Sequence, residues 1–143
     1  MRKILLPALF SLLLLMSYSP AVHASDVTVS GSAYFISSLL SSYMQKHGYV
    51  FIEESAKKNV FAAGYADITV KNKKNRIIGT GKTDQKGDFS ISVPEDENYK
   101  IIVVFHGRES EYTVALSEVT EFKAHLGYFS SNEVDGWLDA KLK

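Results

Sequence analysis

The stretch Gly79-Thr80-Gly81-Lys82-Thr83-Asp84-Gln85-Lys86-Gly87-Asp88-Phe89-Ser90-Ile91, GTGKTDQKGDFSI, holds the Gly-Lys-Thr with which a phosphate-binding loop ends. A phosphate loop needs Gly-x-x-x-x-Gly-Lys-[Ser/Thr] between a strand and a helix, so that N–H groups at the helix N-terminus face the phosphates. Here Arg76 stands five residues before Gly81, where the first glycine belongs. After Thr83 comes a run of turn formers and then Phe89, Ile91 and Val93 alternating with Ser90 and Ser92, the period-2 pattern of a strand. No nucleotide site is expected. The same letters make a hairpin: Asp84 accepts from N–H groups two residues on, Gly87 takes the positive φ that ends the turn, and Phe89 drops into a core.

On either side of this hairpin the same periodicity recurs. Val27, Val29, Ala33 and Phe35 alternate with polar or small residues as in a half-buried strand, and Ala66–Val70 repeats the pattern. Arg76–Gly79 is a short strand candidate, and Phe89–Val93 stops at Pro94, which cannot extend a central strand. Tyr99–Phe105 (YKIIVVF) is nearly continuous apolar, as for a strand covered on both faces, and Tyr112, Val114 and Leu116 give another. Ile68, Val70, Phe89, Ile91, Val93, Ile101 and Val103 are the predicted core. Short strands divided by turn signals predict an all-β, antiparallel two-sheet sandwich.

Two segments break this rhythm. Ile36, Leu39, Leu40, Tyr43 and Met44 follow helical spacing, with Gly48 where a C-terminal cap belongs. Ser130-Ser131-Asn132-Glu133 has capping-box spacing, ahead of Val134, Trp137, Leu138 and Leu142 on one helical face. The segment 36–63 exceeds what joining two strands requires, and it is too apolar for a solvated linker. It is expected to be ordered over one end of the sandwich, with an extra strand around Val50 and Ile52.

Ala66-Asp67-Ile68-Thr69-Val70, then Gly79 to Phe89, then Val93-Pro94, Tyr99 to Val103 and Gly107 give an order that resembles the carboxypeptidase regulatory-like, or transthyretin-like (prealbumin-like), domain. That family shows a "G-A-x-V-x-V … T-D-x-x-G-x-F-x-x-x-x-P … Y-x-l-x-v … G" pattern. The match runs from Gly64 to about Gly107, with Val27–Phe35 as the first strand. Tyr65 stands where the family has a further small residue, 36–63 is longer than its usual first connection, and the tail after Phe122 has no counterpart. The resemblance implies a sandwich of seven or eight strands, Ig-like in build, and implies little about activity.

Arg2 and Lys3 precede an apolar run of 13 residues from Ile4 to Met16, and Val22-His23-Ala24 has the small residues of a cleavage site. The apolar run is too short to span a bilayer, so the expectation is a cleaved secretory signal over 1–24 and a single mature domain over 25–143 exported to the periplasm or medium. The full chain carries 16 Lys+Arg against 16 Asp+Glu, and losing Arg2 and Lys3 leaves it two charges negative, so no basic excess points to nucleic acid. It has no cysteine, which removes disulfides, thiolate chemistry and a lipid-accepting thiol.

Candidate chemistry is sparse. His47, His106 and His125 show no ligand spacing, and Asp67, Asp84 and Asp88, interrupted by Lys86, lack the oxygen count calcium needs. Neither metal nor cofactor is expected. Transthyretin-like hydrolases of hydroxyisourate carry a first-strand histidine and a Tyr-Arg-Gly-Ser tetrapeptide; Val27–Phe35 holds no histidine and the tetrapeptide does not occur. The paired histidines of the iron-binding intradiol dioxygenases and a Gly-x-Ser-x-Gly elbow are missing as well. The expectation is therefore a non-catalytic binding or structural module of the cell envelope. It would recognise a protein or an envelope glycan through loops at one end of the sandwich, with Tyr49, Phe51 and Phe61 as the candidate partner surface, because aromatic rings offer large contact area at low entropy cost. The alternatives are a periplasmic small-molecule or metal-binding protein, in which His106 and His125 would meet, and a hydrolase of the transthyretin-like branch, in which a pocket would gather a histidine, a carboxylate and a serine.

Overall fold

The computed structural model describes residues 26–142, with side chains through Leu138. The expected signal over 1–24 and its cleavage after Ala24 lie outside the described residues. The turn at Asp84 organises the middle of the chain. Its carboxylate Oδ1 accepts from the N–H groups of Lys86 at 2.8 Å and Asp88 at 3.0 Å, Gly87 sits at φ +80°, and Phe89 is buried. A side chain at Gly87 would also run into the Ala33 carbonyl, 2.5 Å from where its Cβ would stand.

Among the described residues, nine strands form two sheets. In chain order they are β1 (Asp26–Ser37), β2 (Phe51–Ser55), β3 (Lys58–Ala62), β4 (Asp67–Lys71), β5 (Ile77–Lys82), β6 (Asp88–Pro94), β7 (Asn98–Phe105), β8 (Arg108–Ala115) and β9 (Phe122–Tyr128). Helix α1 (Ser41–Lys46) lies between β1 and β2, and α2 (Ser131–Leu142) follows β9. The first sheet orders its strands β2-β3-β1-β6, with β9 also paired to β1; the second runs β5-β4-β7-β8. The described residues form an all-β two-sheet sandwich with two short helices.

Strand β1 serves three partners, because it is long. Its first half pairs antiparallel with β6 (Val29↔Ile91) and its last residues pair antiparallel with β3 (Phe35↔Phe61). Ala33 straddles the two: its N–H donates to the Gly87 carbonyl at 2.8 Å and its carbonyl accepts from Ala63 N–H at 2.9 Å. The other edge of β1 pairs in parallel with β9 (Gly31↔Phe122, Ala33↔Ala124). Among the described residues this is the one parallel ladder, in a fold expected to be antiparallel throughout. It arises because the connection after β8 carries the chain back, through a short 3₁₀ turn at Leu116–Glu118, to the beginning of β1.

The core lies between the sheets. Val29, Phe35, Ile68, Val70, Phe89, Ile91, Val93, Tyr99, Ile101 and Val103 all point into it, including every residue predicted as core from the sequence. Strand β7 alternates strictly, with Tyr99, Ile101, Val103 and Phe105 inside and Lys100, Ile102 and Val104 half-buried outside. It is thus covered on one face, and its apolar outer residues gain only partial cover from neighbouring strands.

The segment 36–63 is ordered, but differently from its sequence pattern. Ile36 and Ser37 stay in β1 because β3 offers them a ladder (Ile36↔Val60, Ser37↔Asn59), so the helix starts only at Ser41 and is six residues long. Its Met44 is fully buried. The rest is a β2–β3 hairpin, turned at Ala56 (φ 49°) and Lys57 (φ 67°), that widens the first sheet. At the other end of the chain, α2 begins with the anticipated box: Ser130 Oγ accepts from Glu133 N–H at 3.2 Å and Glu133 Oε1 accepts from Ser130 N–H at 3.4 Å. Val134 and Leu138 bury its inner face.

Candidate functional site at one end of the sandwich

Four connections converge at one end of the sandwich around a cleft of about 290 Å3: Gly48-Tyr49 after α1, Gly64-Tyr65 between β3 and β4, Gln85 between β5 and β6, and His106-Gly107 between β7 and β8. Asp67 and Phe105 contribute to its walls.

Local sequence sets each loop. His106 and Gly107 are the two central residues of a tight hairpin turn, since Phe105 pairs directly with Arg108. Their φ values, 47° and 80°, are both positive, as such a two-residue loop requires. That geometry aims the His106 ring across the end of the molecule. Its Nε2 is hydrogen-bonded to the Tyr49 hydroxyl at 3.1 Å, and its face lies on Trp137 of α2. Burial holds the Tyr49 phenol above its ordinary pKa, so it remains a neutral hydroxyl.

Tyr65 has φ 60°. For a bulky side chain this left-handed conformation is an outlier, costing about 1–2 kcal/mol relative to glycine-like ease. Thr83 locks it in place. This buried residue donates its hydroxyl to the Ala63 carbonyl at 2.6 Å and accepts from Ala66 N–H at 2.8 Å, while its own carbonyl accepts from Tyr65 N–H at 3.1 Å. The threonine of the Gly-Lys-Thr tripeptide thus staples the loop that carries Tyr65. The Tyr65 side chain is 65% exposed on the rim of the cleft. Opposite, the Gln85 amide donates to the Gly48 carbonyl at 3.2 Å, and the Asp67 carboxylate is paired with Lys82 at 2.9 Å.

The three aromatic residues that sequence composition points to take three different positions. Tyr49 lines the cleft, but its ring is only 9% exposed and packs edge-on to Phe35. Phe51 is half-buried at the start of β2 and lies beside a shallower depression with Gln45 and Gln85. Phe61 is fully buried, 5.7 Å from Phe35 between ring centroids, and its ring presents nothing to a partner. The structure adds Gln85 and His106, together with Tyr65, an aromatic residue that borders the segment 36–63. The signal that marks them is positional: each sits in a connection next to, or two residues from, a glycine.

His106 and His125 belong to separate aromatic groups, the first with Tyr49 and Trp137, the second against Tyr34. Among the described residues, no three His, Cys, Asp or Glu side chains gather as metal ligands would. The end cleft has His106 and Asp67 in its lining but, among the described residues, no serine or threonine. No helix of the described residues is long and apolar enough to cross a membrane. No family model matches the chain, and no curated protein matches it.

Proposed function

We propose that this protein is an exported, non-catalytic binding module of the cell envelope, built on a transthyretin-like sandwich, whose end cleft holds a sugar unit of an envelope glycan. The observation that carries this reading is Tyr65: a bulky, exposed aromatic held at φ 60°, where glycine or asparagine would sit without strain. Conformational strain kept at an exposed position, on a rim built from four loops, fits a ligand contact better than a stability role.

The surroundings suit a carbohydrate. An exposed phenol ring offers an apolar face for the C–H side of a pyranose, as aromatic side chains do in binding surfaces. The Gln85 amide, the Asp67 carboxylate and the Gly48 carbonyl stand around the same cleft and match the donors and acceptors of sugar hydroxyls. The cleft is concave and small, which favours one or two sugar rings over the flat face of a protein partner.

The test is retention of the mature chain on immobilised peptidoglycan and on envelope polysaccharide, with Tyr65→Gly as the variant. Glycine relieves the left-handed strain, so the variant keeps or gains stability while losing retention by about tenfold or more. Retention unchanged in a folded Tyr65→Gly, or no retention of the wild type on either glycan, would show the reading to be wrong.

A further inference from the structure

The outer, solvent-facing side of the first sheet carries another recess, of about 280 Å3, which shares no lining residue with the end cleft. The residues of β1 that face away from the core are Ser32, Tyr34 and Ile36, and their neighbours in register are Lys123 and His125 on β9 and Val60 on β3. Val60 in turn pairs with Glu53 on β2.

Three features set this face apart from an ordinary solvated sheet surface. Its floor is apolar: Val60 is only 4% exposed although it belongs to no part of the main core, and half-buried Ile36 and exposed Ile52 flank it. One wall is an ordered polar pair, Tyr34 hydroxyl to His125 Nε2, with the rings edge-on at 4.1 Å. Finally, charges of opposite sign stand on its two sides. Glu53 on β2 and Lys123 on β9 line the recess, and neither enters a salt bridge among the described residues.

The strand order fixes the separation. From β2 across β3 and β1 to β9 is three strand spacings, about 14 Å between backbones, and long Glu and Lys side chains shorten the gap between the charges. A residue of extended peptide spans up to about 3.5 Å. We infer that this recess binds a short peptide of about three residues with both termini free, laid across the strands. Its ammonium faces Glu53, its carboxylate faces Lys123, and a central apolar side chain rests on Val60, Ile36 and Ile52. Burial and the nearby Glu53 carboxylate both hold the Tyr34 phenol above its ordinary pKa, so it stays protonated and donates to His125 Nε2. The other ring nitrogen of His125 is then left as a donor beside Lys123 for the same carboxylate.

Isothermal titration calorimetry of the mature chain with the tripeptide Ala-Leu-Ala tests this. The free tripeptide is expected to give saturable heat with a Kd of about 1 mM or tighter. N-acetylation and C-amidation each weaken it about tenfold, as loss of one charge-assisted contact does. Glu53→Gln should erase the difference between free and acetylated peptide, and Lys123→Gln the difference between acid and amide. Both side chains are exposed, so both variants fold, and an unchanged thermal unfolding midpoint provides the control that they have. Equal binding of free and doubly blocked peptide, or variants that leave both preferences intact, would overturn the inference. So would absence of saturable heat at millimolar peptide, and so would a face shown by sedimentation to be covered by a second copy of the chain that these substitutions dissociate.

Discussion

The imidazole of His106 lies flat on the indole of Trp137, ring centroids 4.0 Å apart and planes 7° from parallel. Through this stack the β7–β8 turn, which lines the cleft, is joined to α2, which carries no cleft residue among the described ones. The indole also meets Phe35, Phe105 and Phe129 edge-on, so one side of the stack is anchored in the core. His106→Asn keeps a residue that tolerates positive φ and removes the ring together with its hydrogen bond to Tyr49. It should cost about 2 kcal/mol in urea unfolding, the worth of an aromatic pair and a hydrogen bond together, and shift the emission of the single tryptophan to the red. Unchanged emission would mean that the stack does not shield Trp137.

Thr83→Val replaces the hydroxyl that bridges Ala63 carbonyl and Ala66 N–H by a methyl of the same size. Both backbone groups lose their partner in a buried place, at a cost of about 2–4 kcal/mol, whereas Thr83→Ser keeps both bonds and costs about 1 kcal/mol. Thermal unfolding of the two variants separates the hydrogen bonds from the packing. Equal losses would assign Thr83 to packing alone.

Much of the sandwich was legible because its information is local. The Asp84–Gly87 turn, the alternation of Phe89, Ile91 and Val93, and the Ser130–Glu133 box each lie within a few residues, and each forms as its pattern indicates. The pairing of β1 with β9 was not legible, since Gly31 and Phe122 are distant and nothing in either strand marks a parallel ladder. Ile36 misled for a related reason: a helical period competes with a tertiary ladder, and the ladder to Val60 wins. The cleft was half legible. Aromatic content pointed to Tyr49, which lines the cleft, but burial of Phe61 against exposure of Tyr65 depends on which side of a backbone each ring leaves, which composition does not encode.

Gly31→Ala tests the unforeseen ladder. A Cβ there would collide with the Phe122 carbonyl oxygen, a backbone atom that cannot move aside without parting β9 from β1. The substitution should cost more than about 3 kcal/mol, beyond the usual range for overpacking, and should raise hydrogen exchange selectively along Phe122–Tyr128. A native melting temperature would contradict the parallel pairing.

Phe61→Ala and Phe51→Ala separate core from rim within the β2–β3 hairpin. Phe61, fully buried against Phe35, should lose about 4 kcal/mol, and half-buried Phe51 about 1.5 kcal/mol, with glycan retention per folded molecule unchanged in both. Loss of retention in a folded Phe51→Ala would move the binding surface from the Tyr65 rim toward β2.

Two neighbours at the β6–β7 connection contribute to the pH dependence of stability. Asp96 accepts from the N–H groups of Lys73 at 2.8 Å and Glu97 at 2.7 Å, and these bonds hold its carboxyl below the usual carboxylate range. Folding lowers this pKa, so the stabilisation is complete above the ordinary aspartate value of 3.8 and is lost as pH falls through the lowered one. Tyr99, fully buried, donates its hydroxyl to the Pro94 carbonyl at 3.1 Å and accepts from Asp96 N–H at 2.7 Å, and burial raises its pKa as it does that of Tyr49. Folding raises these values, so their contribution is intact below the ordinary tyrosine value of 10.0 and drains away as pH rises beyond it. Urea midpoints should therefore hold level between these limits and fall on both sides. Asp96→Asn should flatten the acid limb and, by removing the negative charge beside Tyr99, move the upper end of the alkaline limb to lower pH, whereas Tyr49→Phe should shorten the alkaline limb and leave the acid limb alone. An acid limb as steep in Asp96→Asn as in the wild type would place the acid sensitivity in other carboxylates.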